Sequence, residues 1–261
     1  TVWSEYLDEG HLMEQAAVSV AICFALHTMR SVINPGSKAI AISLGAKGEV
    51  AADKFAMQTI NLMFHCFSAV FTMSVVREAD WLGDNAADIW SEETVPRSWI
   101  AFYCVAFGYH LQRLLGLLVK PRKKDFVEML LHHIVTAVLI TISLWMGYIR
   151  IGLMVLMVHD VSDIPGCVCK MTTAIEADKL TICAFIPLLI LWGYERLWIL
   201  PAHIIVAATR QPAGLQAPSV AVCTGSLCIL FLLNAYWYSL FLKMLKRVVV
   251  SKGTVAKDIQ G

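Results

Sequence analysis

Charge is what this sequence has least of. Aspartate, glutamate, lysine and arginine make up 16% of the 261 residues, hydrophobic residues make up 58%, and mean hydropathy is +0.65. A soluble domain carries about a quarter charged residues, so the composition points to a polytopic membrane protein. The net charge is only +1, which leaves no electrostatic footprint for a nucleic-acid partner. No internal repeat or low-complexity segment is apparent. No cleavable signal precedes Thr1, the appearance of a chain without its natural start. The eight cysteines lie mostly in apolar stretches, away from loops, which is not a disulfide framework. Cys167-Val168-Cys169 has the spacing of a metal or redox pair, but packed thiols are the simpler reading.

What is present is apolar sequence in long runs. A hydropathy window of about 19 residues gives seven spans, near 14–33, 55–76, 98–119, 126–146, 150–168, 180–206 and 218–245. The predicted fold class is therefore all-α, a polytopic membrane bundle of about seven transmembrane helices. The first span carries His27 and Arg30 near its end, and the sixth, with Pro187 and Pro201, is long enough to tilt or break. Residues 1–49 are read as an N-terminal transmembrane helix with a cytosolic linker, and 50–261 as one catalytic domain.

Basic residues concentrate on one side: the 30–54 segment, the 120–125 turn, Lys170 and Lys179, and the tail. Asp80, Asp84, Asp88, Glu92 and Glu93 gather on the other. The positive-inside rule then places the N-terminus in the lumen and the C-terminus in the cytosol, as an odd number of spans requires. Trp145 and Tyr148, at the outer turn between spans 4 and 5, suit an aromatic interface belt.

Within these spans lie groups that are costly there. His132-His133 sits in span 4, and His159-Asp160-Val161-Ser162-Asp163 in span 5. An Asp at the centre of a membrane helix costs about 2.5–3.5 kcal/mol on insertion scales. Such a cluster is by default a functional site facing a protein-lined cavity. His133 lies 15 residues before Tyr148 and Asp163 lies 15 after it. At 1.5 Å per residue, each is ~22 Å from the turn, at matching depth on antiparallel helices. His159 and Asp163 share a helix face, as do Asp160 and Asp163. The adjacent histidines diverge by about 100°, so one is expected to do chemistry while the other binds, orients or packs.

A histidine held by a carboxylate has a fixed tautomer and a basic free nitrogen, suited to a base or nucleophile. The turn Pro121-Arg122-Lys123-Lys124 is either a holder of polyanionic phosphates or an anchor obeying the positive-inside rule. A metal site is the other reading of His with Asp. Membrane di-iron enzymes, however, use repeated HxxxH and HxxHH arrangements that the eight histidines here do not form.

Arg122-Lys123-Lys124-Asp125-Phe126, Met129, His132-His133-Ile134-Val135-Thr136, Ser143, Arg150-Ile151-Gly152, His159-Asp160-x-Ser162-Asp163 and Lys170 together resemble the Lag motif of ceramide synthases, membrane enzymes of the TLC-domain family. Arg196-Leu197, Pro201, Trp237, Lys243-Met244-Leu245 and Lys257-Asp258-Ile259 continue the likeness over roughly 50–261. The resemblance implies a Lag-type catalytic domain there. It implies transfer of a fatty acyl group from acyl-CoA to the amine of a sphingoid base, giving ceramide or dihydroceramide in the endoplasmic reticulum membrane. His132, His133, Asp160 and Asp163 would be catalytic. His159, Ser162, Arg150, Thr136, Arg122, Lys123, Lys124 and Lys170 would bind substrate. No cofactor beyond the co-substrate acyl-CoA and no metal are required. Expected partners are acyl-CoA, sphingoid base, membrane lipids and a second chain in a homo- or hetero-dimer. Chain-length preference in the family is linked to the turn near 207–219.

The sequence departs from the family pattern at Pro165, Gly166 and Cys167, where the motif commonly continues with Leu and Glu, and at Gly147, which replaces an Asn. Pro165 removes a backbone donor, so a kink is expected just past Asp163. Two other functions compete: a non-enzymatic TLC-domain lipid carrier or trafficking protein, and a seven-helix receptor suggested by Glu195-Arg196, which falls in the sixth span.

Overall fold

In a computed structural model of the chain, residues 9–81, 95–119, 121–122, 124–210 and 217–250 are described. Among them there is no strand. Seven helical rods account for nearly all: α1 Glu9–Ser43, α2 Glu49–Ala79, α3 Arg97–Val119, α4 Phe126–Trp145, α5 Ile149–Ala174, α6 Asp178–Thr209 and α7 Ala217–Val250. Each is long and apolar enough to cross a membrane. Large apolar side chains such as Phe24, Val32, Val70, Ile190 and Leu232 are exposed on their outer faces, as lipid-facing positions are. The protein is a multi-pass membrane protein with the seven spans expected.

The helix ends differ from the hydropathy limits. Hydropathy leaves about two dozen residues between the first two spans; in the structure only 44–48 separate α1 from α2. Pro35 lies inside α1, and the helix continues because Ala41 packs in a cluster with Ala46, Ala52, Phe55 and Ala174. Burial there overrides the local breakers. Likewise α5 runs through Pro165 to Ala174. The sixth rod is α-helical over Asp178–Leu191, π-helical over Trp192–Ile205 and α-helical again over Val206–Thr209.

The fold divides into two units, whose boundaries fall within helices. The first takes Thr1–Thr28, Thr72–Val155 and Pro201–Leu233. In it α3 packs on α4. A Cβ at Gly108 would lie 2.8 Å from the Ser19 carbonyl, the close approach that small residues permit between membrane helices. Tyr103 donates to the Ile149 carbonyl at 3.1 Å and accepts from Ser143 at 2.8 Å. Gly152 leaves room for that phenol, because a Cβ there would sit 1.6 Å from its oxygen. Gly147, φ 75°, makes the left-handed turn between α4 and α5, a conformation that Gly and Asn both take. Trp145 is exposed, as an interface residue should be, but Tyr148 is buried and its hydroxyl lies 3.1 Å from Ser219 Oγ. The pairing removes Tyr148 from the expected belt.

The second unit takes Met29–Phe71, Leu156–Leu200 and Asn234–Gly261. Besides the alanine cluster, it holds Cys169, Phe185, Leu188 and Trp192, packed with Trp237, Tyr238 and Phe241. Lys47 pairs with Glu176, tying the loop before α2 to the loop after α5.

A buried ionic network as candidate functional site

The chemistry of the second unit begins with α2. Gln58, Asn61, His65, Ser68 and Thr72 are all buried, and their 3,4,3,4 spacing makes one stripe along the helix. In an apolar span such a stripe must face protein rather than lipid. His65 Nδ1 lies 2.6 Å from Asp160 Oδ1, and Ser68 Oγ donates to Asp160 Oδ2. A carboxylate only accepts, so the imidazole of His65 donates from Nδ1.

One turn further along α5, Asp163 pairs with Arg196 of the π-helical stretch at 2.6 Å. Arg196 is 2% exposed, yet every side of its guanidinium is engaged. Nε donates to Ser162 Oγ at 2.6 Å, Nη1 to Asn234 Oδ1 at 3.2 Å, and Nη2 also to the His159 carbonyl at 2.8 Å. Its plane lies over the Trp192 ring at 3.7 Å, and Trp192 Nε1 donates to the Asn234 carbonyl. A guanidinium cannot accept, so the Asn234 oxygen must face it and the amide nitrogen must face His159 Nε2, 3.1 Å away. His159 Nε2 therefore accepts, and His159 is the neutral Nδ1-H tautomer. These bonds give both Asp160 and Asp163 a partner, the condition under which charge inside an apolar bundle is tolerable.

His65, Asp160 and Asp163 offer one atom each within 4.8 Å of one another, a nitrogen and two oxygens that could hold a cation by type. The guanidinium on Asp163 sets a positive charge against the same group, which opposes a metal ion there.

The structure thus brings His159, Asp160, Ser162 and Asp163 together. The histidine pair belongs to the first unit. His133 is buried with Nδ1 lacking a hydrogen-bond partner, His132 is half-buried, and their rings meet edge-on at 5.4 Å. The two faces diverge as helix geometry requires. Thr136 donates back to the His132 carbonyl at 2.8 Å. Arg150 is buried under Trp81, 5.7 Å from its ring centre. Arg122 is exposed over Phe126, and Lys124 and Lys170 are exposed on their own segments. Lys123, residues 211–216 of the 207–219 turn and the tail motif at Lys257 lie outside the described residues. His65, Ser68 and Asn234 were not among the sequence candidates. The polar stripe of α2 was a readable signal for the first two; a lone Asn in α7 was not.

A helical membrane protein whose spans converge on an internal carboxylate, imidazole and guanidinium network is the class these observations define. Residues 54–243 match the TLC domain, and the chain belongs to the TLC-domain family. Human Ceramide synthase 4 is 29% identical over 211 residues, which cover 79% of this chain and 53% of the human protein. ASC1-like protein 3 of Oryza sativa subsp. japonica is 25% identical over 221 residues, 79% of this chain and 76% of the rice protein. Ceramide synthase LOH2 of Arabidopsis thaliana is 25% identical over 210 residues, 77% and 71%. The chain spans about half the length of the human relative.

Proposed function

We propose that this protein is an acyl-CoA-dependent ceramide synthase, resident in the endoplasmic reticulum membrane with its N-terminus lumenal and its C-terminus cytosolic. The observation that carries the reading is the saturated network on His159, Asp160, Ser162 and Asp163. It puts the motif shared in outline with ceramide synthases to use, where a carrier needs no such charge inside its bundle. Residues 1–49 form the entry helix and linker in this reading, and 50–261 the catalytic part.

The histidine pair supplies the chemistry. His132 attacks the thioester carbonyl through its unprotonated ring nitrogen, the carbon–sulfur bond breaks, and the CoA thiolate takes up the proton that the other ring nitrogen releases. The sphingoid amine then attacks the acyl-imidazole. His133 takes the proton from the attacking nitrogen and passes it to the His132 nitrogen as the carbon–nitrogen bond to His132 breaks, and both rings return to their neutral form. The split into two steps lets CoA leave before the amine arrives. Arg122, Lys123, Lys124 and Lys170 hold CoA phosphates, and no metal enters a step.

Purified protein given acyl-CoA and sphinganine should form ceramide by mass spectrometry. With acyl-CoA alone it should release CoA in a burst and leave one acyl group on the His132-His133 peptide. Absence of ceramide in folded protein would return the chain to the lipid-carrier reading. CoA release that strictly requires sphinganine, with no acylated peptide, would replace the covalent route by direct attack.

A further inference from the structure

One intramembrane carboxylate takes no part in the network. Glu195 stands next to Arg196 near the middle of α6, within its π-helical stretch. Its Oε2 is buried and has no hydrogen-bond partner. Among the described residues Arg196 directs its hydrogen bonds to Asp163, Ser162, His159 and Asn234, and none to Glu195. Arg196 thus answers Asp163, and His65 with Ser68 answers Asp160, while Glu195 Oε2 is left unanswered. A carboxyl left this way in an apolar interior is neutralised either by a proton or by a cation that comes to it from outside the protein.

Its place on the helix says what kind of cation. Trp192, Arg196 and Leu200 are buried and form the inner ridge, while Ile190, Tyr194 and Trp198 are exposed and form the lipid-facing ridge. Glu195 is half-buried on the flank between them. A group entering sideways from the bilayer, with an apolar chain in lipid and a positive head, meets this flank. π-helical turns occur frequently at functional sites, because the widened turn re-aims side chains.

We infer that Glu195 is the seat for the ammonium group of a long-chain amine, the cationic head of the acyl-accepting substrate. The inference rests on the acyltransferase reading above. Glu195 neutralises the head as it leaves water and so selects amines over alcohols of the same chain length.

The test uses the full chain in nanodiscs. In Glu195→Gln the KM for sphinganine should rise about tenfold or more, as loss of one partner of a desolvated charge pair does, with the KM for acyl-CoA unchanged. Glu195→Asp should fall between. Independently of turnover, sphinganine should raise the Tm of the wild-type chain, octadecane-1,3-diol should not, and Glu195→Gln should lose that discrimination. An unchanged sphinganine KM in Glu195→Gln, with ceramide still formed, would overturn the seat and leave the acyltransferase standing. Glu195-dependent sphinganine binding without any ceramide would keep the seat and overturn the acyltransferase. If Glu195→Gln does not fold, equal stabilisation of the wild type by amine and diol overturns the seat, as does stabilisation of the wild type by magnesium and not by sphinganine.

Discussion

The network around Arg196 and the surroundings of His133 treat their buried polar groups in opposite ways. Around Arg196 charge meets charge, Asp160 and Asp163 have partners on α2 and α6, and Arg196 itself is held by α5 and α7 as well. In the first unit His133 is buried with a ring nitrogen unanswered, and the neighbouring buried network of Tyr103, Ser143 and the Ile149 carbonyl is neutral. Saturated charge fixes a shape, because each partner is costly to lose. An unanswered imidazole nitrogen fixes nothing and stays available for chemistry. The difference teaches that the residues holding this protein together and those expected to react are not the same set, although they share one sequence motif.

The largest effect should come from breaking the saturated side. Arg196→Leu leaves the half-buried Asp163 unpaired and orphans the buried Asn234 Oδ1 and His159 carbonyl, at about 1–3 kcal/mol for each buried acceptor, and thermal unfolding in detergent should show it. Arg196→Lys should rescue little, since a point charge cannot reproduce the four directed bonds and the stacking on Trp192. Next, His132→Ala and His133→Ala should each lower N-acylation by about 10²–10⁴-fold with Tm almost unchanged. Equal losses of fold and activity at these two positions would erase the contrast between the units.

A subtler change sharpens it. Gly152→Ala forces a methyl group against the Tyr103 hydroxyl, and overpacking of that kind costs about 1–3 kcal/mol. Tyr103→Phe removes the obstructing oxygen, so the double variant should lose less than the sum, a coupling that Tm can read. The smallest effect belongs to the exposed turn. Replacing Arg122, Lys123 and Lys124 by Gln should raise the KM for acyl-CoA by a few fold at most. The rise should shrink with salt, since screening at physiological ionic strength acts within about 8 Å. Unchanged acyl-CoA kinetics with altered topology would assign the turn to anchoring alone.

Most of the bundle was legible because hydropathy reads spans directly, and all seven are helices in the structure. What hydropathy cannot read is where a helix stops when packing carries it past a breaker, as at Pro35 and Pro165. In the site, His159, Asp160, Ser162 and Asp163 stood out because charge in an apolar run is conspicuous. Their partners did not. His65 and Ser68 announce themselves only when the polar positions of α2 are counted as a seven-residue repeat. Arg196 was visible as a motif match, but its pairing with Asp163 depends on the backbone register of the π-helical stretch, which side-chain pattern does not reveal. Gly147, a departure from the family pattern, is explained by its positive φ.

The order in which these partners leave the ribosome gives the network a history. His65 and Ser68 precede α5, so Asp160 finds its partners already made. Asp163 must wait for Arg196, and Arg196 in turn for Asn234, the last of the set to be synthesised. Through that interval α5 carries an unmatched carboxylate across a hydrophobic boundary, and the insertion machinery has to shelter it until α6 arrives. Biogenesis of this protein is therefore least forgiving between its fifth and sixth spans, and a chain interrupted there is the form that quality control should meet.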